Sequence, residues 1–235
     1  METSTADEHL AGIADFRIFR YFDSDQFASV KSDFRKVKFR RGDSVIRDEA
    51  KSSGMYLVCS GNLFSKKYSR NGTEVGFSII TAGDYTGELG AVDGKPRWAN
   101  VICLDDAELI FVSQTLFDRM IEEIPGFGRA LLEDLVSMAR SLSQRLFERN
   151  AASARSRVIL FLLRSAAKAG VVDDRVTLSR VGTHAQIAAL VGTQREVVTR
   201  ELTKLSRIKA IRNTRNTIEI CSYEMLRRLA SVDAA

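Results

Sequence analysis

The sequence predicts an α+β protein with three parts: an N-terminal β-barrel or sandwich, a long helix and a C-terminal winged helix-turn-helix. Nine of the fifteen glycines fall between Gly42 and Gly94 and separate short β-type runs. After Pro125 the apolar residues recur at helical spacing. Two further helical patterns meet at Gly192 and are followed by two strand-like runs. Together, these three changes of pattern define the fold class.

The first part, residues 1–124, is predicted to be built from short strands joined by tight turns. Pairs such as Gly42-Asp43 and Asn71-Gly72 supply the turns. The predicted strands contain Val37 with Phe39, Met55–Val58, Phe77–Ile80, Val101–Leu104 and Leu109–Val112. Many short strands at regular turn spacing are typical of a barrel or sandwich.

The second part, residues 125–152, is predicted to be one long helix that ends in a hinge. Its apolar residues recur at heptad-like steps, at Leu131, Leu135, Met138, Leu142 and Leu146. Such a stripe suits pairing with a second copy of the helix, or it covers the chain's own barrel. The length exceeds what covering a small barrel requires, which favours a homodimer. The small, polar segment Asn150–Ser156 fits a hinge.

The third part, residues 153–235, has the element order of a winged helix-turn-helix. Helical periodicity resumes at Arg157, and two short helices are predicted over Thr183–Val191 and Gln194–Ile208. Two strands, Ile208–Ile211 and Thr217–Ile220, are predicted to form the hairpin that follows.

Charge and composition restrict the function classes. The net charge is +5, yet residues 151–235 carry fifteen Lys and Arg against seven Asp and Glu, which leaves twenty against twenty-three for the rest. A basic module beside a neutral-to-acidic one suggests that only the former meets a polyanion. No membrane helix or secretory signal is evident, so we expect a cytoplasmic protein without membrane contact. Three scattered cysteines and two histidines offer no metal site.

The second short helix carries candidate base-reading residues near its N-terminus. Arg195, Glu196 and Arg200 can project from its first two turns, while Val198 and Leu202 face the protein. Arginine matches guanine O6 and N7, and glutamate can accept from cytosine N4. The alternative is a surface ion-pair network among the three residues. The basic surplus and the hairpin favour DNA reading.

Further residues of this part are predicted to contact DNA outside the base edges. Thr183 caps the preceding helix, so the free amides there, with His184 beside them, can meet phosphate. The other predicted contacts are Gln194, Val197, Thr199, Lys204 and Arg215.

A second constellation, Gly87-Glu88-Leu89-Gly90 followed by Arg97-Trp98-Ala99, predicts binding of a small anion. Gly87 allows close backbone approach, and Glu88 can accept from a sugar hydroxyl. Arg97 provides a bidentate cation for a phosphate. A structural turn with a salt bridge would have the same sequence. The glycine-punctuated β region favours a ligand site.

Together, these two segments resemble the cyclic-AMP receptor/FNR superfamily of bacterial transcription regulators, from about Phe22 to Leu229, with the cyclic-nucleotide-dependent Clr-type branch nearest. The resemblance implies a cyclic-nucleotide-binding β-roll (a double-stranded β-helix or jelly roll), a dimerisation helix and a winged helix-turn-helix. It also implies a homodimer without enzymatic activity or a cofactor, whose effector is cAMP or cGMP and whose partners are a palindromic TGTGA-like DNA site and RNA polymerase.

The resemblance also assigns ligand contacts. It implies that Gly87, Glu88 and Leu89 bind the ribose and cyclic phosphate and that Arg97 pairs with the phosphate. Trp98 replaces a common Ser or Thr, so only its backbone amide can contribute. Ser78 is implied to lie near the base. The family's Thr-Ser pair matches Leu142 and Ser143, so only Ser143 can bond a purine from the partner subunit, and the choice between cAMP and cGMP stays open.

Three alternatives to a cyclic-nucleotide-dependent regulator differ in the effector or in the class of protein. A family member could bind DNA without a nucleotide or respond to another effector. Iron–sulfur and haem sensors are disfavoured because no cysteine precedes Cys59 and neither His9 nor His184 lies in the sensor core. An enzyme acting on cyclic nucleotides would need a metal cluster or general base beside Glu88, for which the sequence offers no histidine.

Overall fold

The computed structural model describes residues 12–214 and 217–232, which fold as two compact units. The first unit comprises the chain up to Lys67 together with Ser78–Ala139. The second comprises Tyr68–Phe77 together with the chain from Arg140 onward. The division between Ala139 and Arg140 falls inside the long helix. Among the described residues, no helix is both long and apolar enough to cross a membrane.

Two four-stranded antiparallel sheets form the barrel-like part of the chain, all of it in the first unit except the strand residues that lie within Tyr68–Phe77. The strands are β1 (Arg35–Phe39), β2 (Ser44–Ile46), β3 (Gly54–Ser60), β4 (Asn62–Tyr68), β5 (Glu74–Thr81), β6 (Tyr85–Thr86), β7 (Asn100–Cys103) and β8 (Ala107–Ser113). Their order is β1-β8-β3-β6 in one sheet and β2-β7-β4-β5 in the other. The predicted runs all fall in or directly at the end of a strand. Sequence reasoning missed β2, β4 and β6, because β2 and β6 are very short and β4 is polar in its second half.

The central strands β3 and β8 are buried on both faces. Along β3, Val58 lies in the core formed with the second sheet, whereas Met55 and Leu57 lie in a core shared with helices. On β8, Leu109 lies in the core formed with the second sheet, and Ile110 lies in the core shared with the helices. Because successive side chains of a strand point to opposite faces, a strand covered on both sides is a continuous apolar run. The sandwich therefore has a helical layer outside its first sheet.

Gly54 is required where β3 begins. Its φ is +134°, and a Cβ there would lie 2.0 Å from the carbonyl oxygen of Val112. We expect Gly54→Ala to lower the free energy of unfolding by roughly 2–5 kcal/mol, because backbone strain and a steric clash add. Urea denaturation followed by circular dichroism measures this. The matched control is Gly72→Ala, whose φ is +80° but whose Cβ would meet nothing within 4 Å. Equal losses in both variants would contradict the steric argument.

Helices complete the first unit. They are α1 (Ser24–Lys31), α2 (Glu88–Asp93), α3 (Gln114–Glu123) and α4 (Pro125–Ala151), preceded by a 3₁₀ turn at Arg17–Phe19. The helical layer over the first sheet is built from Phe19, Phe117, Met120 and the start of α4. The long helix was predicted over 125–152 and is confirmed.

In its first half, the predicted stripe on α4 covers the chain's own sandwich, which was the alternative to a homodimer seam. Leu131 is buried in the core of the first unit, and Leu135 packs against that core, so these two residues cover the chain's own sandwich. A different row is exposed to solvent at steps of four and three. This row, called here the α4 row, consists of Leu132, Val136, Ala139, Ser143 and Leu146. The physical reason is that a periodicity shows an apolar face without showing which neighbour covers it.

The second unit contains the remaining elements. They are α5 (Ala154–Ala169), β9 (Val176–Ser179), α6 (His184–Val191), α7 (Arg195–Arg207), β10 (Ile211–Asn213), β11 (Thr217–Ile220) and α8 (Tyr223–Val232). The strands form one antiparallel sheet in the order β10-β11-β9. One core joins all of these elements, with Leu162, Ile187, Leu202 and Ile218 at its centre.

The hairpin differs from its prediction at one end. The segment predicted as a strand over Ile208–Ile211 contributes only Ile211, because Ile208 ends α7 and Lys209 has a φ of +57°. The strand then continues through Asn213, where β10 pairs with Ile218 of β11. The sequence reasoning also missed β9 and α8.

The predicted hinge is shorter than expected, and an ion pair joins the two helices on either side of it. Only Ala152 and Ser153 separate α4 from α5, and the Ser153 hydroxyl caps α5 by accepting from the Ser156 amide at 3.1 Å. Glu148 of α4 is buried and accepts two bonds from Arg164 of α5, at 2.8 and 2.6 Å. The end of α4 therefore belongs to the second unit.

Candidate functional site

Gly87 begins the turn that the sequence singled out in the first unit. It has a left-handed φ of +92° and is the residue before α2, and Glu88 is the first residue of that helix. Arg97 is only 6% exposed. Its Nη1 donates to the Gly87 carbonyl and its Nη2 to the Gly54 carbonyl, each at 2.7 Å. The guanidinium is thus fixed between the start of β3 and the turn.

Burial controls the ionisation of the groups around Arg97. Burial raises the pKa of Glu88, and hydrogen bonds from backbone amides and the Arg97 charge act against it. The pKa of Arg97 is itself lowered by burial, with the charges of Tyr56 and Glu88 opposing the shift. A buried cation bound only to neutral carbonyls gains by contacting an anion instead. The arrangement can therefore hold an anionic group at Arg97, and Glu88 can accept from a hydroxyl.

Tyr56 and Gly54 are parts of this site that sequence reasoning missed. Tyr56 is half-buried. Its pKa is raised because the effect of burial exceeds the opposing effect of the nearby Arg97 charge. Both residues belong to β3 and come next to Arg97 only through the fold. An apolar strand pattern carries no signal that one of its carbonyls binds an arginine.

Trp98 replaces the expected hydroxyl residue with an exposed ring. Its side chain is 63% exposed, and Lys67 Nζ lies 4.6 Å from the ring centroid. The same Lys67 ammonium donates to the Trp98 carbonyl at 3.1 Å and to Asp48 at 2.9 Å. Of the neighbouring predicted residues, Ala99 is buried and Leu89 is exposed. The Trp98 carbonyl is thus occupied by Lys67.

Ser78 and Ser143 belong to different units. Ser78 lies exposed on β5, and Ser143 lies exposed on α4 in the α4 row. Their contacts with a base stay predictions.

Thr183 begins the helix-turn-helix in the second unit, as predicted. Its side chain accepts from the Gln186 amide, and the Gln186 side chain accepts from the Thr183 amide, which forms a reciprocal capping box. Gly192 ends α6 with a left-handed φ of +69°. Gln194 is the residue before α7 and makes no side-chain capping bond. The tight turn between the helices is therefore set by one glycine.

The three predicted base readers are all exposed on the first two turns of α7. Val198 and Leu202 on the other side of the helix are fully buried. Across the described ranges, neither Arg195 nor Glu196 takes part in an ion pair, so the three do not form the network weighed as an alternative. Arg200 pairs with its neighbour Glu201 instead, through Nε at 3.2 Å.

His184 and Thr199 form a link that sequence reasoning missed. The Thr199 hydroxyl donates to the Arg195 carbonyl at 3.0 Å, and His184 Nδ1 lies 2.8 Å from the same oxygen. Since the hydroxyl proton is used, Nδ1 must donate in this geometry. The link ties the start of α6 to the start of α7 beside the predicted base readers.

The remaining predicted DNA contacts lie along α7 and beyond it. Val197 is half-buried, Lys204 is exposed and donates to Glu201 at 3.0 Å, and Gln194 is exposed. Arg215 lies outside the described residues. These contacts stay predictions.

Two family models match the chain. The model described as a cyclic nucleotide-binding domain matches residues 36–124, and the model described as a Crp-like helix-turn-helix domain matches residues 156–229. The first range contains the Gly87 turn with Arg97, and the second contains both helices of the helix-turn-helix.

Relatives of known name match most of the chain. A CRP-like cAMP-activated global transcriptional regulator of Mycobacterium tuberculosis is 25% identical over 216 residues, 91% of this chain and 96% of its own length. The cyclic AMP receptor protein of Thermus thermophilus is 25% identical over 197 residues, 84% of this chain and 88% of its own. The structure of FixK2 from Bradyrhizobium japonicum superposes with a TM-score of 0.76 at 18% identity, covering 86% of this chain and 98% of FixK2. That structural likeness shows the fold alone.

Proposed function

This chain belongs to the cyclic-AMP receptor/FNR superfamily of transcription regulators, and from that premise we propose that it is a homodimer that binds cAMP or cGMP and thereby gains affinity for a palindromic TGTGA-like site. The family consists of regulators and not of enzymes. We further propose that the DNA-bound dimer contacts RNA polymerase.

The observation that carries the nucleotide proposal is the position of Arg97. Both of its terminal amino groups are held by hydrogen bonds, and their acceptors are the neutral carbonyls of Gly87 and Gly54. A cyclic phosphate offers charged oxygens, and charge-assisted bonds are about twice as strong as neutral ones. Glu88, at the adjacent start of α2, can accept from the ribose hydroxyl. The hydroxyl and the anion of a cyclic nucleotide match this acidic and basic pair.

The dimer proposal is supported by the α4 row. Leu132, Val136 and Leu146 are more than half exposed, although long apolar side chains favour burial. The steps of four and three residues in this row match those of two-stranded coiled coils. Ser143 lies in the same row, which supports its predicted contact with a base bound by the partner subunit. A two-fold dimer would present its two α7 helices to the two halves of a palindrome, one helical turn or about 34 Å apart.

The effector acts, in this proposal, by preferring the DNA-binding state. A ligand shifts a conformational equilibrium only by its difference in affinity between the two states. The change is proposed to pass along α4, since this helix begins in the core of the first unit and ends in the second. Ala152 and Ser153, the two residues between α4 and α5, are the proposed pivot.

A second candidate is a family member that binds DNA without a nucleotide or with another effector. Two departures favour it: Trp98 stands in place of a phosphate-binding hydroxyl, and Leu142 in place of a base-binding one. Titration calorimetry of the full chain with cAMP, cGMP and linear 5′-AMP separates the candidates. Binding of a cyclic nucleotide, with 5′-AMP much weaker, supports the first proposal and identifies the effector. Absence of binding by both cyclic nucleotides would contradict it.

Gly87 gives a second test of the pocket. A Cβ at Gly87 would lie 2.8 Å from Arg97 Nη1 and 3.1 Å from Ile46 Cδ1, in a left-handed backbone conformation. We expect Gly87→Ala to displace the guanidinium and to weaken cyclic nucleotide binding by about tenfold or more. Gly94→Ala, at the other end of α2, is the control, because its φ is +67° and its Cβ would meet nothing within 4 Å. If both variants bound nucleotide alike, Gly87 would not shape the site.

A further inference from the structure

Glu201 is a charged residue of α7 that the proposed function leaves unused. It is only 4% exposed, whereas the neighbouring Arg200 and Lys204 side chains are 61% and 56% exposed. Its Oε1 accepts from Arg200 Nε at 3.2 Å and from Lys204 Nζ at 3.0 Å. Ile159 and Leu205 line the same groove as Glu201. One buried carboxylate therefore holds two exposed cations.

The carboxylate is ionised at neutral pH. Burial opposes ionisation of Glu201, but the hydrogen bonds from Lys204 and Arg200 outweigh it, so the pKa of this carboxyl lies below its usual value. An ionised carboxylate can be buried where cationic partners donate hydrogen bonds to its oxygens. The burial of an ionised Glu201 therefore depends on the hydrogen bonds from Arg200 and Lys204.

The bond to Arg200 determines which edge of the guanidinium is available. Residues one apart on a helix do not normally face each other, so Arg200 must bend along the helix to reach Glu201. Nε is bound to Glu201, whereas no described residue accepts a bond from the terminal groups Nη1 and Nη2. Two parallel donors of this kind match guanine O6 and N7. Holding the side chain before binding reduces the rotamer freedom lost on contact.

We infer that Glu201 is a positioning residue for sequence reading: its buried carboxylate orients Arg200 so that the terminal amino groups meet a guanine. This inference rests on the proposed function, since it assumes that Arg200 reads a base. Lys204 shares the carboxylate but not the reading, because its single ammonium is suited to a phosphate.

Binding of the full chain to labelled duplexes tests the inference. The parent duplex carries a palindromic TGTGA-type site, and in the others each G:C pair of the half-site is replaced symmetrically, all at fixed salt with cAMP and cGMP present. Arg200→Ala identifies the base pair that Arg200 reads, as the position where preference for guanine is lost. At that position, we expect Glu201→Gln to reduce the preference by about tenfold. In the Arg200→Ala background, Glu201→Gln should change the preference no further.

Lys204→Gln is the matched control because it removes the other cation from the same carboxylate. It should weaken binding to all duplexes alike, with the preference for guanine unchanged. Titrations of the parent duplex repeated at several salt concentrations should show a reduced salt dependence. Thermal unfolding of each variant verifies folding. If Glu201→Gln does not fold, Glu201→Asp keeps the charge one methylene further away, and it should still reduce the preference.

Three results would overturn the inference. An unchanged preference in a folded Glu201 variant, with preference lost in Arg200→Ala, would show that Arg200 reads without Glu201. A stronger preference would show that Glu201 holds Arg200 back from DNA. Retention of every preference in Arg200→Ala would instead remove the base-reading role of Arg200 from the proposed function, and with it any positioning role for Glu201.

Discussion

Arg97→Ala is expected to weaken cyclic nucleotide binding by roughly 100-fold or more. The variant loses two charge-assisted bonds to the cyclic phosphate, each of which contributes about 1.5–3 kcal/mol. Arg97 is buried and already oriented by Gly87 and Gly54, so a phosphate meets a cation whose position needs little further ordering. Calorimetry with the nucleotide that binds the unmodified chain measures the loss.

Two further variants make this result interpretable. Arg97→Lys retains the charge but not the planar fork, and we expect an intermediate loss. Lys95→Ala is the matched control, because Lys95 is exposed and, within the described part of the chain, its ion pair is with the exposed Asp93, at 3.6 Å. Since Arg97→Ala leaves the Gly87 and Gly54 carbonyls without a donor, urea denaturation should accompany the binding data. Equal affinity of folded Arg97→Ala and Lys95→Ala would contradict the site.

Val136→Asp is expected to raise the dissociation constant of the dimer by at least about 100-fold. At a two-fold seam one substitution places two carboxylates opposite each other, and each loses hydration. Affinity for the palindromic duplex should fall with the dimer, since a monomer contacts one half-site. Sedimentation equilibrium measures the association, and duplex binding at fixed salt measures the consequence.

Ser141→Asp supplies the control for charge on the same helix. Ser141 is exposed and stands on the side of α4 opposite the α4 row, so its carboxylate stays in water. This variant should remain dimeric. A dimer that persists in Val136→Asp, or that is lost equally in Ser141→Asp, would show that the α4 row is not the seam.

Periodicity in the sequence predicted most elements of both units. The strand runs, the long helix and the helix–Gly–helix order are local patterns, and each depends on a face that some neighbour buries. Which neighbour does so is not a local property. For that reason, the pattern leaves open whether Leu131 and Leu135 face a seam or the chain's own core; it favours the seam, whereas both pack on the core. The first strand of the hairpin was predicted to begin at Ile208, which is too early, because a β-branched residue fits a helix end as well as a strand.

The candidate site was predictable in its residue types and not in its contacts. The Gly87 turn and Arg97 were visible because a turn glycine, an acidic residue and an arginine stand close together in a glycine-punctuated β region. Strand pairing brings three further groups to the site: the Gly54 carbonyl, the Tyr56 ring and the Lys67 ammonium. No short motif encodes this pairing. Glu201 was overlooked because one glutamate among surface arginines has the pattern of an ordinary solvated helix face.

The most direct test of the central claim is the affinity of the full chain for a labelled palindromic TGTGA-type duplex at fixed salt, measured without nucleotide, with cAMP and with cGMP. The proposed function predicts that at least one cyclic nucleotide tightens binding to this duplex, and that it does not do so in Arg97→Ala. Equally tight, sequence-specific binding in all three conditions would contradict nucleotide gating and would support the constitutive candidate.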